Sequence, residues 1–188
     1  MSEQLVVEHC APTLTGIKTG NLFSCALVSK ERLIPAVRAI NHKLVPKGIR
    51  VLPLRCSEKR ALIYVYRPAA LARDFENPAA AELLVQAGYR GGTAQSVARL
   101  AKKLRACAEF PHEIGLFLSY PPEDVRGFIL HKGANYKCVG CWKVYGDEEK
   151  ALETFSLYKR CTSACCLKWS GGIDIEELAA AKIGRAHV

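Results

Sequence analysis

Arg50-Val51-Leu52-Pro53-Leu54-Arg55, then Ser57-Glu58-Lys59-Arg60, then Ala61-Leu62-Ile63-Tyr64-Val65-Tyr66 decide the fold class of this chain. Two short runs of apolar and aromatic residues flank four polar ones, which predicts two strands joined by a tight connection. In the second run Leu62, Tyr64 and Tyr66 share one face, with Ile63 and Val65 on the other. Strands joined this tightly are antiparallel, because parallel neighbours need a long crossover. Since helical patterns surround the hairpin, the expected class is α+β. The sheet should be mixed or antiparallel, of about five strands, and packed with helices.

Working outward, Ser29 is placed to cap a helix with Leu33, Val37, Ile40 and Leu44 on one stripe. Pro35 moves its expected start toward Ile34, and Pro46 with Gly48 closes it. Further upstream Gly20-Asn21 reads as a turn and residues 22–28 as a strand. Residues 2–10 read as a turn or two of helix ending before Pro12. Downstream, Pro68 and Pro78 mark helix starts, and Gly88 and Gly91-Gly92 mark stops. Thr93 opens a helix with Val97, Leu100, Ala101 and Leu104 inward and Arg99, Lys102, Lys103 and Arg105 outward. Ile114-Gly115-Leu116-Phe117-Leu118-Ser119 is continuously apolar, as a central strand buried on both faces would be. Pro121-Pro122-Glu123-Asp124 then suits the start of a helix running to about His131, with Val125, Phe128 and Ile129 inward. Tyr136–Tyr145 reads as another strand, and Asp147 opens a long final helix to about Trp169.

The length of 188 residues implies one domain, and 49% hydrophobic with 24% charged residues excludes a disordered or fibrous chain. No window approaches the roughly 18 apolar residues of a membrane span, and the first ten residues lack a signal-peptide pattern. A cytoplasmic protein with no membrane partner is expected. Lys182-Ile183-Gly184-Arg185-Ala186-His187-Val188 reads as the translation of a sequencing adapter, so the expected globular domain is 1–181. Setting those residues aside leaves 25 basic against 18 acidic side chains, an excess of +7. Nine cysteines, an odd number without an export signal, point to reduced thiols buried as small hydrophobes.

Several segments carry a family resemblance. They are Gly16–Cys25 (GIKTGNLFSC), Phe110–Leu118 (FPHEIGLFL), Tyr120–Val125 (YPPEDV), and Asn135-Tyr136-Lys137-Cys138 with Gly140 and Trp142–Tyr145 (WKVY). The chain resembles the bacterial domain of unknown function 3793 family, met mostly in clostridial-type anaerobes, from about Glu3 to Trp169. Ser119 stands where that family has glycine. The resemblance implies a single domain and assigns no activity, cofactor or catalytic residue.

Three constellations have chemical potential. His112-Glu113 precedes the apolar 114–118 run, and a histidine beside a carboxylate is a candidate proton-transfer pair. The pattern lacks the second histidine of a zinc-protease helix, and a structural histidine is the alternative reading. Lys18-Thr19-Gly20-Asn21 forms a polar loop that can present a lysine and backbone N–H groups to an anion. Cys25 beyond it becomes a nucleophile only if a base such as His112 lies near; otherwise it is a core thiol. The third set is Cys138-x-x-Cys141 with Cys161, Cys165 and Cys166, whose spacing falls in the zinc-ribbon range. In straight strands Cys138 and Cys141 face opposite ways, so buried thiols are expected rather than a metal site.

The favoured reading is a binder of a small anionic ligand or cofactor, or an enzyme acting on one. His112 and Glu113 are its catalytic candidates, and Lys18, Asn21 and Cys25 its binding candidates. No particular cofactor is indicated. The first alternative is a nucleic-acid-binding module using the basic helix face at 99–105. The second is a structural or partner-binding protein stapled by a cysteine metal site.

Overall fold

The computed structural model describes residues 1–27, 29–106 and 110–180, so the adapter-like segment 182–188 lies outside the described residues. The chain divides into two units, one formed by Met1–Arg67 with the residues from Tyr158 on, the other by Pro68–Leu157.

The first unit is built on the hairpin. Strands β2 (Arg50–Cys56) and β3 (Arg60–Tyr66) pair antiparallel, and β1 (Gly20–Ala26) pairs antiparallel with the far side of β3. Ser57 closes the turn, its backbone N–H donating to the Arg60 carbonyl at 2.8 Å. The β2 register shifts between Pro53 and Arg55, where proline has no N–H to give a ladder. Ala61, Ile63 and Val65 join Phe23, Cys25 and Val51 in one core. Helix α1 (Glu3–Leu14) adds Val6, Val7, Cys10 and Leu14 to that core, and α2 (Lys30–Leu44) adds Leu33, Val37, Ile40 and Leu44.

Three side chains fix these elements to one another. Arg67 donates to the carbonyls of Thr13 (2.8 Å) and Leu14 (2.6 Å) at the end of α1. The Asn41 amide donates to the Val51 carbonyl at 2.8 Å and accepts from the Val51 N–H at 2.9 Å, joining α2 to β2. Lys43 reaches Glu3 at 2.9 Å and Asp174 at 3.0 Å.

Two of the prolines expected to bound helices, Pro12 and Pro35, lie inside them. Helix α1 continues through Pro12 to Leu14, and α2 starts at Lys30, capped by Ser29, with Pro35 in its second turn. Each proline removes a single helical N–H, and the buried stripes on either side outweigh that loss. Gly20 and Asn21 belong to β1 rather than to a turn. The turn precedes them and includes Gly16 at φ +80°.

The second unit is mainly helical. Helices α3 (Pro68–Phe75), α4 (Pro78–Gln86) and α5 (Thr93–Ala106) begin at the expected prolines and threonine. Asn77 caps α4, its side chain accepting from Ala79 N–H at 2.9 Å. The 114–118 segment is not a central strand: Ile114–Phe117 forms a short helix, α6. Its apolar run is continuous because it is buried on every side, a pattern that fits a helical turn as well as a strand. Glycine at 115 permits the turn, since a Cβ there would lie 2.7 Å from Val125 and 2.9 Å from Tyr120. Ser119 follows at φ +58°, a left-handed conformation that is cheapest for glycine.

Helix α7 (Pro122–His131) has Val125 buried but Ile129 exposed, contrary to the inward placement expected. Residues 136–145 bend back on themselves as β4 (Cys138–Val139) and β5 (Lys143–Val144) instead of running straight. A Cβ on Gly140 would fall within the Phe155 ring, so any larger residue at that bend must displace that ring. The expected sheet of about five strands is therefore two antiparallel sheets, of three and two strands. With Ile114–Phe117 helical and 138–144 folded into its own hairpin, neither segment extends the first sheet. Helix α8 (Glu148–Ser170) starts in this unit after Asp147, whose side chain accepts from Lys150 N–H at 3.0 Å. It ends in the first unit, and α9 (Ile175–Ala180) follows it, so α8 is not the last helix.

Candidate functional site

The second unit contains a cavity of about 360 Å³ whose shape depends on one buried carboxylate. Asp124 lies in the first turn of α7 and is 3% exposed. One oxygen accepts from the Trp142 indole N–H at 2.6 Å. The other accepts from the backbone N–H groups of Tyr145 and Gly146, both at 2.7 Å. These bonds hold the β4–β5 hairpin against α7. Trp142 thereby becomes a wall, stacked on Tyr120 with ring centroids 4.9 Å apart and edge-on to Phe155 at 4.5 Å.

Tyr120 in turn donates to the Cys141 carbonyl at 3.1 Å. Burial pushes its phenol up to about 12, so it remains a neutral donor at physiological pH. Phe110, Phe128, Val125, Ile114 and Val139 complete a largely apolar lining. Two groups able to carry positive charge join it. His112 is exposed, and its ring lies 4.9 Å from that of Phe128. Lys143 donates to the Gly133 carbonyl at 2.7 Å and sits 4.7 Å over the Tyr136 ring.

Glu113, the sequence neighbour of His112, is 7% exposed and serves a structural tie. Its Oε1 accepts from Lys103 at 2.5 Å and from the Tyr89 hydroxyl at 3.1 Å. Burial, reinforced by that carboxylate, raises the Tyr89 phenol above its ordinary value. Lys103 also donates to the Ala87 carbonyl at 2.8 Å and lies 4.6 Å over the Tyr89 ring. The basic face expected on α5 thus keeps Arg99, Lys102 and Arg105 exposed, while Lys103 is half-buried.

The other candidates belong to the first unit. Lys18 is 7% exposed, with its ammonium 5.3 Å from the centre of the Tyr158 ring. Asn21 accepts from the Thr13 hydroxyl at 2.7 Å, and Cys25 is a core residue of β1. Of the five residues proposed from sequence, the cavity includes His112. Lys18 and Asn21 lie at the start of β1 instead, and Cys25 lies near its end.

The cysteines divide in the same way. Cys138 and Cys141 flank the β4–β5 bend, and burial followed by the neighbouring Glu148 raises the Cys138 thiol. Cys161 and Cys165 are buried one turn apart on α8, and the Thr15 hydroxyl lies 3.2 Å from the Cys161 sulfur. Hydrogen bonds from Cys165 and then Thr15 favour the Cys161 thiolate and lower that thiol below its ordinary value. Among the described residues, no group of three or more His, Cys, Asp or Glu side chains is arranged to hold a metal ion.

Sequence reasoning missed Trp142, Lys143 and Asp124 as parts of one site. Asp124 fitted a helix start by itself, and the other two fitted a strand. The signal available was the indole N–H of Trp142, which needs an acceptor once buried.

Small antiparallel sheets set among helices make this an α+β protein, with an aromatic cavity in its more helical unit. The chain belongs to the family described as Protein of unknown function (DUF3793), which matches it over residues 6–179. No curated protein and no solved structure matches it. Among the described residues no helix is long and apolar enough to cross a membrane.

Proposed function

We propose that the second unit binds a small molecule with a flat apolar body and an anionic end. The observation that carries this reading is the cavity of about 360 Å³ walled by Trp142, Tyr120, Phe128 and Phe110, with His112 and Lys143 in its lining. Its volume lies in the range of small-molecule sites, which are mostly apolar with a few polar groups to orient the ligand. Aromatic walls suit a planar ligand, and the two nitrogen-bearing side chains suit a carboxylate or similar acceptor. Both oxygens of Asp124 are already taken up by three N–H donors, so its part in the lining is to hold the hairpin wall in place. Lys143 takes the anchoring role that the sequence had suggested for Lys18.

The test is displacement of 8-anilinonaphthalene-1-sulfonate, itself an aromatic anion, by paired aromatic carboxylates and their neutral amides. Carboxylates should compete at concentrations several-fold lower than the amides, and His112→Ala should shrink that difference. Val139→Trp, at an exposed position on the lining, should weaken all competitors. Equal competition by acid and amide, with neither substitution having an effect, overturns the reading.

A further inference from the structure

The basic surplus of this protein lies almost entirely in one stretch of sequence. Residues 29–60 hold nine Lys and Arg against two Asp and Glu, a net +7 out of the formal +9 of the chain. Lys182 and Arg185 supply the remaining two, so all other residues balance at 16 basic against 16 acidic. In the fold this stretch is α2, the turn after it, β2 and the start of β3, all within the first unit. Helix α2 and strand β2 lie side by side, joined through Asn41 and Val51. Lys43 is taken up by Glu3 and Asp174. The other eight cations are exposed, including Arg38 on α2, Arg50 and Arg55 on β2, and Lys59 and Arg60 at the hairpin.

We propose that this α2–β2 flank binds the phosphodiester backbone of nucleic acid. A helix of 15 residues is about 22 Å long. The cations are therefore spread too widely for one small anion and suit several successive phosphates. Arginine forks match phosphate oxygens in pairs. An anionic membrane is the weaker partner: surface-bound basic helices insert an apolar face, and the apolar stripe of α2 is already buried in its own core. Backbone contacts of this kind give affinity without sequence preference. The inference is independent of the cavity reading, since it concerns the other unit.

Fluorescence anisotropy with labelled oligo(U) and oligo(dT) of about 20 nucleotides tests it. For about five phosphate contacts, affinity should fall roughly 100-fold between 50 and 200 mM KCl. Lys59→Glu with Arg60→Glu should cost at least about tenfold at the lower salt, with a shallower salt slope. Arg60 also bonds Ser24 (2.8 Å), so Arg38→Glu with Arg50→Glu is the second, independent variant. Lys102→Glu with Arg105→Glu, on α5 of the other unit, should bind as the parent does. The proposal is overturned if neither oligonucleotide binds at 50 mM KCl, if the flank reversals change nothing, or if the α5 control abolishes binding. Attachment to phosphatidylserine vesicles without oligonucleotide binding overturns it equally.

Discussion

Asp124 reaches three donors with two oxygens, and all three belong to residues 142–146. Asp124→Ala would leave an indole N–H and two backbone N–H groups unpaired in a buried place, each costing about 1–3 kcal/mol. Because such losses do not add fully, the expected destabilisation is about 3–5 kcal/mol by urea unfolding. Asp124→Asn keeps one acceptor oxygen and should lose less. A loss below about 1 kcal/mol for the alanine variant would show that water replaces the carboxylate. Glu113 shows the limit of reading single residues. It stands beside His112 in sequence, yet Lys103 and Tyr89, both distant in sequence, occupy its carboxylate. Adjacency along the chain says nothing about which group a side chain meets. His112, singled out in the sequence as a histidine beside a carboxylate, lies in the cavity lining without that carboxylate. Lys143 and Trp142 were not legible, because their partners come from other elements.

Gly140 sets the path of the β4–β5 hairpin. Its missing Cβ is where the Phe155 ring lies, and that ring is edge-on to Trp142. Gly140→Ala should displace ring or hairpin and cost about 1–3 kcal/mol, with an altered near-ultraviolet dichroism from Trp142. Gly92→Ala, with no neighbour closer than 3.9 Å, is the control that should leave the spectrum alone. An unchanged spectrum in both would mean that Phe155 simply swings aside. Elements such as β2 and β3 were legible because four polar turn residues contrast with the apolar and aromatic runs on either side. The 114–118 segment had no such contrast, being buried all round. Helices α1 and α2 run on through Pro12 and Pro35 because tertiary burial outweighs a local breaker. The hairpin at 138–144 hid in a run of strand-forming residues whose reversal depends on a single glycine.

At the scale of the whole molecule, charge location mattered more than charge total. The surplus is visible in composition, but the basic face expected on α5 has Lys103 drawn to Glu113. Counting along the sequence places it at 29–60. One cation of that stretch, Lys43, ties α1 to the segment leading into α9 through Glu3 and Asp174. The backbone N–H of Glu176, then Lys43, holds the Asp174 carboxyl below its usual value. A depressed carboxylate contributes stability that is present above its unfolded pKa, about 3.9, and lost as pH falls through the folded value. The melting temperature should therefore drop on acidification below about pH 4, and drop less steeply in Asp174→Asn. Identical pH profiles would remove this tie from the acid response. The Asn41 amide has a wider consequence. It occupies the outward N–H and C=O of Val51 on a strand whose other side is already paired. Those are the groups a strand from a second molecule would use to extend the sheet, so Asn41 is a guard against aggregation.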